Sequence, residues 1–173
     1  MSVIPPLGST WLISLECLGD VPGPRFLDGH THDGTVGLAQ TTDPPFTGTL
    51  WAAMRIAPSA LILRCLGEAE GPGFHGFLDG RSQDRTVGLA KTTGPPFSGT
   101  RWMARVESSG DGSLTLQCLG DIPGPGFHGF LDGRTQDRTV GLAPNTEPPF
   151  TGTRWRPHFL GELVILQCLG DIP

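Results

Sequence analysis

The sequence predicts an all-β fold built from three repeats of four short strands, and three observations predict it. First, one block recurs almost letter for letter: FLDGHTHDGTVGLA at 26–39, FLDGRSQDRTVGLA at 77–90 and FLDGRTQDRTVGLA at 130–143. Asp28, Asp79 and Asp132 are 51 and 53 residues apart, and Phe46, Phe97 and Phe150 keep the same spacing. A fixed long period marks a repeat architecture. Second, the 26 glycines and 17 prolines recur at fixed places in the repeat, as turns between short strands do. Third, no stretch carries helical periodicity, whereas LTLQC alternates, with Leu114, Leu116 and Cys118 on one face and Thr115 and Gln117 on the other.

Each unit supplies its strands in the same order. FLDG is followed by TVGLA, then by a PPF loop running into GT-x-W, and last by an apolar segment ending in CLG. The units fall at about 14–60, 61–113 and 114–160 of a single domain, 1–173. The FLDG and TVGLA segments are joined by HDG in the first unit but by Asp84-Arg85 and Asp137-Arg138 in the others, so one common turn type is not expected. Residues 161–173 remain, and LVILQCLGDIP there duplicates SLECLGDVP near the N-terminus. One strand position therefore has two claimants. At the N-terminus the segments are also compressed, with Trp11 only six residues before Cys17. Two arrangements satisfy the surplus: the terminal copies pair side by side, or one replaces the other in a neighbouring subunit, giving a homodimer.

Composition excludes several classes. A chain of 173 residues with 37% hydrophobic content can fill one core. The net charge of -5, with scattered Lys and Arg, offers no surface for phosphates, so no nucleic-acid partner is expected. No window approaches the roughly 18 apolar residues of a membrane helix, and the opening MSVIPPLGSTWLISLECLGD lacks the charged start of a secretion signal. The expectation is a cytoplasmic protein, or one released without a classical signal. Cys17, Cys65, Cys118 and Cys168 occupy equivalent positions and read as buried core thiols in a reducing compartment, with Cys17 and Cys168 the pair whose strands are candidates for neighbours. No CxxC spacing supports structural zinc. His30 and His32 share a strand face beside Asp33, but the other units carry Arg and Gln there, so a solvated face is preferred to a metal site. His75 and His128, in GFHGF, read as loop residues. No metal and no cofactor is expected.

Twelve strands in three units resemble a β-trefoil, specifically the ricin-B-like trefoil lectins. That family's C-L-D, V-x-L and Q-x-W motifs compare with F-L-D, V-G-L and T-x-W here, over nearly the whole chain. The motifs are degenerate: Thr49, Thr100 and Thr153 stand where the family has Gln, and its cysteine spacing is missing. The resemblance implies sugar binding, with galactose or N-acetylgalactosamine as habitual ligand and the motif Asp as principal contact, which falls on Asp28, Asp79 and Asp132. The competing reading of each is an Asp-Gly turn residue bonding its own backbone. Supporting groups are His30, Arg81 and Arg134, two residues on, with Asp33, Asp84 and Asp137 on the same hairpin. The family's stacking aromatic has no counterpart in TVGLA. Phe46, Phe97 and Phe150 are substitutes, as are Phe74 and Phe127, although a Phe after two prolines is preferred as a core residue. Trp51, Trp102 and Trp155 match the structural Trp of Q-x-W and are expected in the core, with neighbouring Arg101 and Arg154 exposed.

An enzyme is not expected. Catalysis needs a nucleophile, a base and an orienting group converging on one place. Near-identical units instead repeat one set of side chains three times, which suits several weak sites for a target that itself repeats, such as surface glycans. The expectation is a multivalent lectin; the alternatives are a trefoil protease inhibitor acting through one loop, or a self-assembling structural module.

Overall fold

The computed structural model describes residues 3–19, 22–67, 76–120 and 129–163. Twelve strands are present among them, with two single-turn 3-10 helices and no α-helix. In chain order they are β1 (Thr10–Cys17), β2 (Phe26–His30), β3 (Thr35–Ala39), β4 (Trp51–Ala57), β5 (Ala60–Cys65) and β6 (Phe77–Arg81). The remainder are β7 (Thr86–Ala90), β8 (Trp102–Val106), β9 (Leu114–Cys118), β10 (Phe130–Arg134), β11 (Thr139–Ala143) and β12 (Trp155–Glu162).

Six strands close into a barrel. The antiparallel pairings run β1–β4–β5–β8–β9–β12 and back to β1, so no barrel strand is left with a free edge. The other six form three hairpins, β2–β3, β6–β7 and β10–β11. These meet around a pseudo-threefold axis through β3–β7, β7–β11 and β11–β3 bridges. A closed barrel capped by three hairpins is the β-trefoil.

The repeat's apolar letters explain the core. Trp51, Trp102 and Trp155 are fully buried, each facing a cysteine across the sheet: Cys65, Cys118 and Cys17 respectively. Each indole N–H donates to a carbonyl of the hairpin above it, at Leu27, Leu78 or Leu131, over 2.9–3.0 Å. The rings therefore fasten cap to barrel while filling the interior, a contact whose truncation to Ala costs about 3–5 kcal/mol per ring. Leu15, Leu63 and Leu116 complete the barrel layer, and Leu27, Leu78 and Leu131 the cap layer.

The doubly claimed position is filled by the N-terminal copy. β1 pairs with β12 from Trp11 to Cys17, and Cys17 lies opposite Trp155 as Cys65 lies opposite Trp51. Trp11 is thus on the same strand as Cys17 and is no equivalent of the repeat tryptophans; it packs edge-on against Phe159, with ring centroids 5.1 Å apart. Most of the C-terminal copy, 164–173 with Cys168, lies outside the described residues, as do Phe74, His75, Phe127 and His128.

The hairpin turns correct an expectation. All three share one conformation despite differing sequences: Gly34, Arg85 and Arg138 have φ of 74°, 61° and 64°. The preceding Asp makes this possible. Asp33, Asp84 and Asp137 each accept from the backbone N–H and the hydroxyl of the Thr two residues on, which holds the turn whatever follows the Asp.

Candidate functional site

Asp28, Asp79 and Asp132 do not sit in turns. Each is the middle residue of a strand, opposite Gly37, Gly88 or Gly141 of the partner strand, so the Asp-Gly turn reading is replaced. The glycine after each Asp has a packing cause. A Cβ on Gly29, Gly80 or Gly133 would lie 2.7–2.9 Å from a cysteine sulfur and 3.0–3.2 Å from a tryptophan ring. Each pair of core side chains thus presses on the strand from below and leaves the neighbouring Asp on its upper side.

A second glycine holds each Asp from the side. Gly48, Gly99 and Gly152 of the TGT or SGT segments press against the carbonyls of Gly29, Gly80 and Gly133, with no space for a side chain. In units 2 and 3 the backbone of Gly99 and Gly152 faces the Asp79 and Asp132 carboxylates and works against the burial that raises their pKa. Thr49 and Thr153 donate to the carbonyls of Phe46 and Phe150, which ties the PPF loop to the same segment.

The result is a cleft beside the carboxylate. In unit 2 a cavity of about 270 Å3 is lined by Asp79, Arg81, Ser82, Asp84, Pro96 and Gly99, among others. The equivalent in unit 3, about 90 Å3, is lined by Asp132, Arg134, Thr135, Gln136, Pro149 and Gly152. Both bring together the predicted Asp and Arg. Asp84 joins the unit 2 cleft, although one of its oxygens is committed to the turn; Asp137 and Asp33 are exposed turn residues.

The phenylalanines are placed differently from either expectation. Phe46, Phe97 and Phe150 are half-buried rather than core, and neither Phe97 nor Phe150 lines the carboxylate clefts. The apolar wall comes from the second proline of PPF, Pro96 or Pro149. Turning each ring aside, the tight loop presents the proline instead.

Burial is the main influence on the three carboxyls and raises the pKa of each. The partner two residues on offsets this. His30 Nε2 lies 3.0 Å from Asp28 Oδ2, and the other ring nitrogen lies 3.0 Å from Thr35 Oγ1. Arg81 Nε and Arg134 Nε lie 3.8 Å from Asp79 Oδ2 and Asp132 Oδ2. Each Asp side chain is under a tenth exposed while its basic partner is about half exposed, so one polar face is offered to solvent. The guanidinium groups lie across Gly88 and Gly141, where a Cβ would come within 2.9 Å and 2.8 Å of them. The middle Gly of TVGLA thus takes the place of an aromatic platform with a bed for arginine.

Ser82 adds an unmet donor. Its hydroxyl is buried without an oxygen or nitrogen partner, and the Cys118 thiol against it is a weak one. The thiols themselves are structural: Cys17, Cys65 and Cys118 are free, buried and directed at glycine carbonyls of the Asp-Gly and TGT or SGT segments. Burial pushes Cys17 and Cys65 up to about 11. His32 lies 3.5 Å from Asp33 on an exposed face, and no group of three metal-binding side chains occurs among the described residues.

No protein-family model and no curated protein sequence matches the chain. Solved structures do. The chain is similar to the BEL β-trefoil in its apo form (TM-score 0.60, 15% identity, covering 91% of this chain and 97% of that one). It is also similar to Cry35Ab1 (TM-score 0.61, 12% identity, 91% of this chain and 38% of that one). A third likeness is to the GlcNAcα1-4Gal releasing endo-β-galactosidase of Clostridium perfringens (TM-score 0.59, 12% identity, 88% and 32%). This chain spans about a third of the length of the last two. The protein has the β-trefoil fold.

Proposed function

We propose that this protein is a non-enzymatic, multivalent sugar-binding protein with one site per repeat, at Asp28, Asp79 and Asp132. The observation that carries the reading is the repeated cleft in which a buried carboxylate, a half-exposed arginine and a proline face meet. A carboxylate accepts two vicinal hydroxyls, the guanidinium donates to a third oxygen, and the proline ring packs on the C–H face of the sugar. Fixed partners mean little is reorganised on binding. Galactose or N-acetylgalactosamine is the proposed ligand, in keeping with the lectin-like motifs and with an architecture shared by a galactosidase. Glycoside hydrolysis requires two free carboxyl groups across the bond. In the unit 2 cleft one carboxylate faces arginine and the other is tied to a turn, which favours binding without cleavage.

A glycan array of the folded protein beside an Asp28→Ala, Asp79→Ala, Asp132→Ala variant tests this. Galactoside binding that disappears in the variant is expected. Binding of no glycan, or undiminished binding by a folded variant, overturns the proposal.

A second reading concerns assembly, and the filled position opposite Trp155 favours it. β1 occupies the strand position for which 163–173 carries another copy, so the surplus copy can replace β1 in the barrel of a second chain and make a homodimer. Light scattering on the full chain should give a dimer, and on residues 1–163 a monomer; a monomeric full chain at high concentration removes the reading.

A further inference from the structure

The three repeats are alike in sequence but unlike just beyond the proline wall. On the other side of the PPF loop of unit 2 lies a second, larger cavity of about 410 Å3, lined by Thr93, Pro96, Phe97, Ser98, Arg101 and Leu119, among others. Pro96 and Ser98 line both this cavity and the Asp79 cleft, so the two are adjacent compartments divided by one loop. The larger volume lies in the range of about 300–1,000 Å3 typical of small-ligand sites.

Arg101 sets unit 2 apart. It is exposed, and among the described residues its guanidinium has no ion-pair or hydrogen-bond partner. The equivalent residue in unit 3, Arg154, is held by Asp111 at 2.7 Å and by Ser113 Oγ at 3.3 Å. Unit 1 has Leu50 there. Three copies of one position thus carry no charge, an open charge and a neutralised charge. Beside the open one lies the half-buried ring of Phe97, and an uncommitted guanidinium at the rim of a partly apolar cavity is suited to a planar or tetrahedral anion.

We infer that unit 2 holds a two-compartment site for an acidic saccharide: a galactoside in the Asp79 cleft whose sulfate or carboxylate substituent crosses Pro96 and is bound by Arg101 above Phe97. The inference rests on the sugar-binding reading of Asp79. It gives unit 2 a ligand class that units 1 and 3 do not share. A neutral sugar fills the first compartment alone, while an anionic substituent recruits the second.

The test isolates unit 2 by replacing the other carboxylates (Asp28→Asn, Asp132→Asn) and measures calorimetric binding of lactose and of lactose sulfated at galactose O3 or O6. A charge-assisted pair at this rim predicts at least one sulfated form binding about tenfold or more tighter than lactose, with the preference shrinking as salt rises. Arg101→Leu, which copies the residue unit 1 already tolerates, should bring the ratio to within about twofold of one. Arg105→Leu, a change of the same charge on β8 away from the cavity, should leave the ratio intact. Equal binding of lactose and both sulfated forms, or a preference that survives Arg101→Leu, overturns the second compartment while the lectin reading stands. Binding of neither sugar by a folded chain overturns both.

Discussion

Replacing Gly99 by alanine tests the physical basis of the site more directly than removing the carboxylate. The new methyl group would overlap the Gly80 carbonyl oxygen and lie 2.8 Å from Asp79 Oδ1, and both neighbours are backbone or buried. Relief requires the SGT segment to move away from β6. Forcing a methyl into a packed site costs about 1–3 kcal/mol. The movement also threatens the hydrogen bond from Gly80 N–H to Gly99 O at 2.9 Å, at about 1 kcal/mol. The total of about 2–4 kcal/mol is a large share of the roughly 5–15 kcal/mol that holds a domain folded. At about 2–4 °C per kcal/mol for a chain of this length, Tm should fall by about 4–16 °C. The control is Gly94→Ala five residues earlier, where an added Cβ meets nothing within 4 Å; its stability should stay within about 0.5 kcal/mol of the parent. Paired urea and thermal melts measure both. A Gly99→Ala protein as stable as the Gly94→Ala control would refute the idea that close backbone packing sets the Asp79 cleft.

Other consequences are equally open to measurement. Burial raises the Asp79 and Asp132 carboxyls, so the folded state binds protons more tightly than the unfolded chain, and stability declines as pH rises from the ordinary carboxylate range through the raised values. Asp79→Asn should therefore be as stable as the parent or more so at pH 7 in urea melts, while losing unit 2 sugar binding; a clear loss of stability would show the charged form to be favoured by folding. Arg138 holds φ of 64°, so Arg138→Gly should gain about 0.5–1 kcal/mol in urea unfolding, and a loss would mean that its side chain contributes more than its backbone costs. With the thiols of Cys17 and Cys65 raised from 9.0 to about 11, their thiolates are about a hundredfold scarcer than in the open chain at the same pH. In a Cys168→Ser variant, thiol-reactive dye should label the folded protein far more slowly than the urea-unfolded one, and equal rates would contradict the burial.

The repeats made the architecture legible, because a strict spacing of Asp, Phe and Trp implies three equivalent units and the alternation in LTLQC implies strands. The paired Asp and Arg of the clefts were visible for the same reason: two residues apart on a strand, they share a face. What escaped sequence reasoning depended on contacts distant along the chain. Gly80 looked like half of a turn pair because nothing near it reveals that Cys118, 38 residues on, packs beneath it. Arg85 and Arg138 concealed a shared turn, since the fixing interaction lies in the Asp before them and the Thr after, not in the residue with positive φ. Pro96 was passed over for Phe97, because hydrophobic size says nothing about which ring a tight loop turns toward a cleft. Arg101 and Arg154 looked identical, and only Asp111, 43 residues from Arg154, distinguishes them.

The cap bridges also fix how many units the fold needs. Leu89 N–H donates to the carbonyl of Gly34, Leu142 to that of Arg85 and Leu38 to that of Arg138, so each hairpin tip is received by the next unit and the third returns to the first. No unit satisfies its own tip, and two units leave one donor and one acceptor open. A solitary unit of about fifty residues is also too small for a core of its own. In this threefold arrangement every one of these bonds is met only when three units are present, so the cap closes as a ring and loses one donor and one acceptor when any unit is removed.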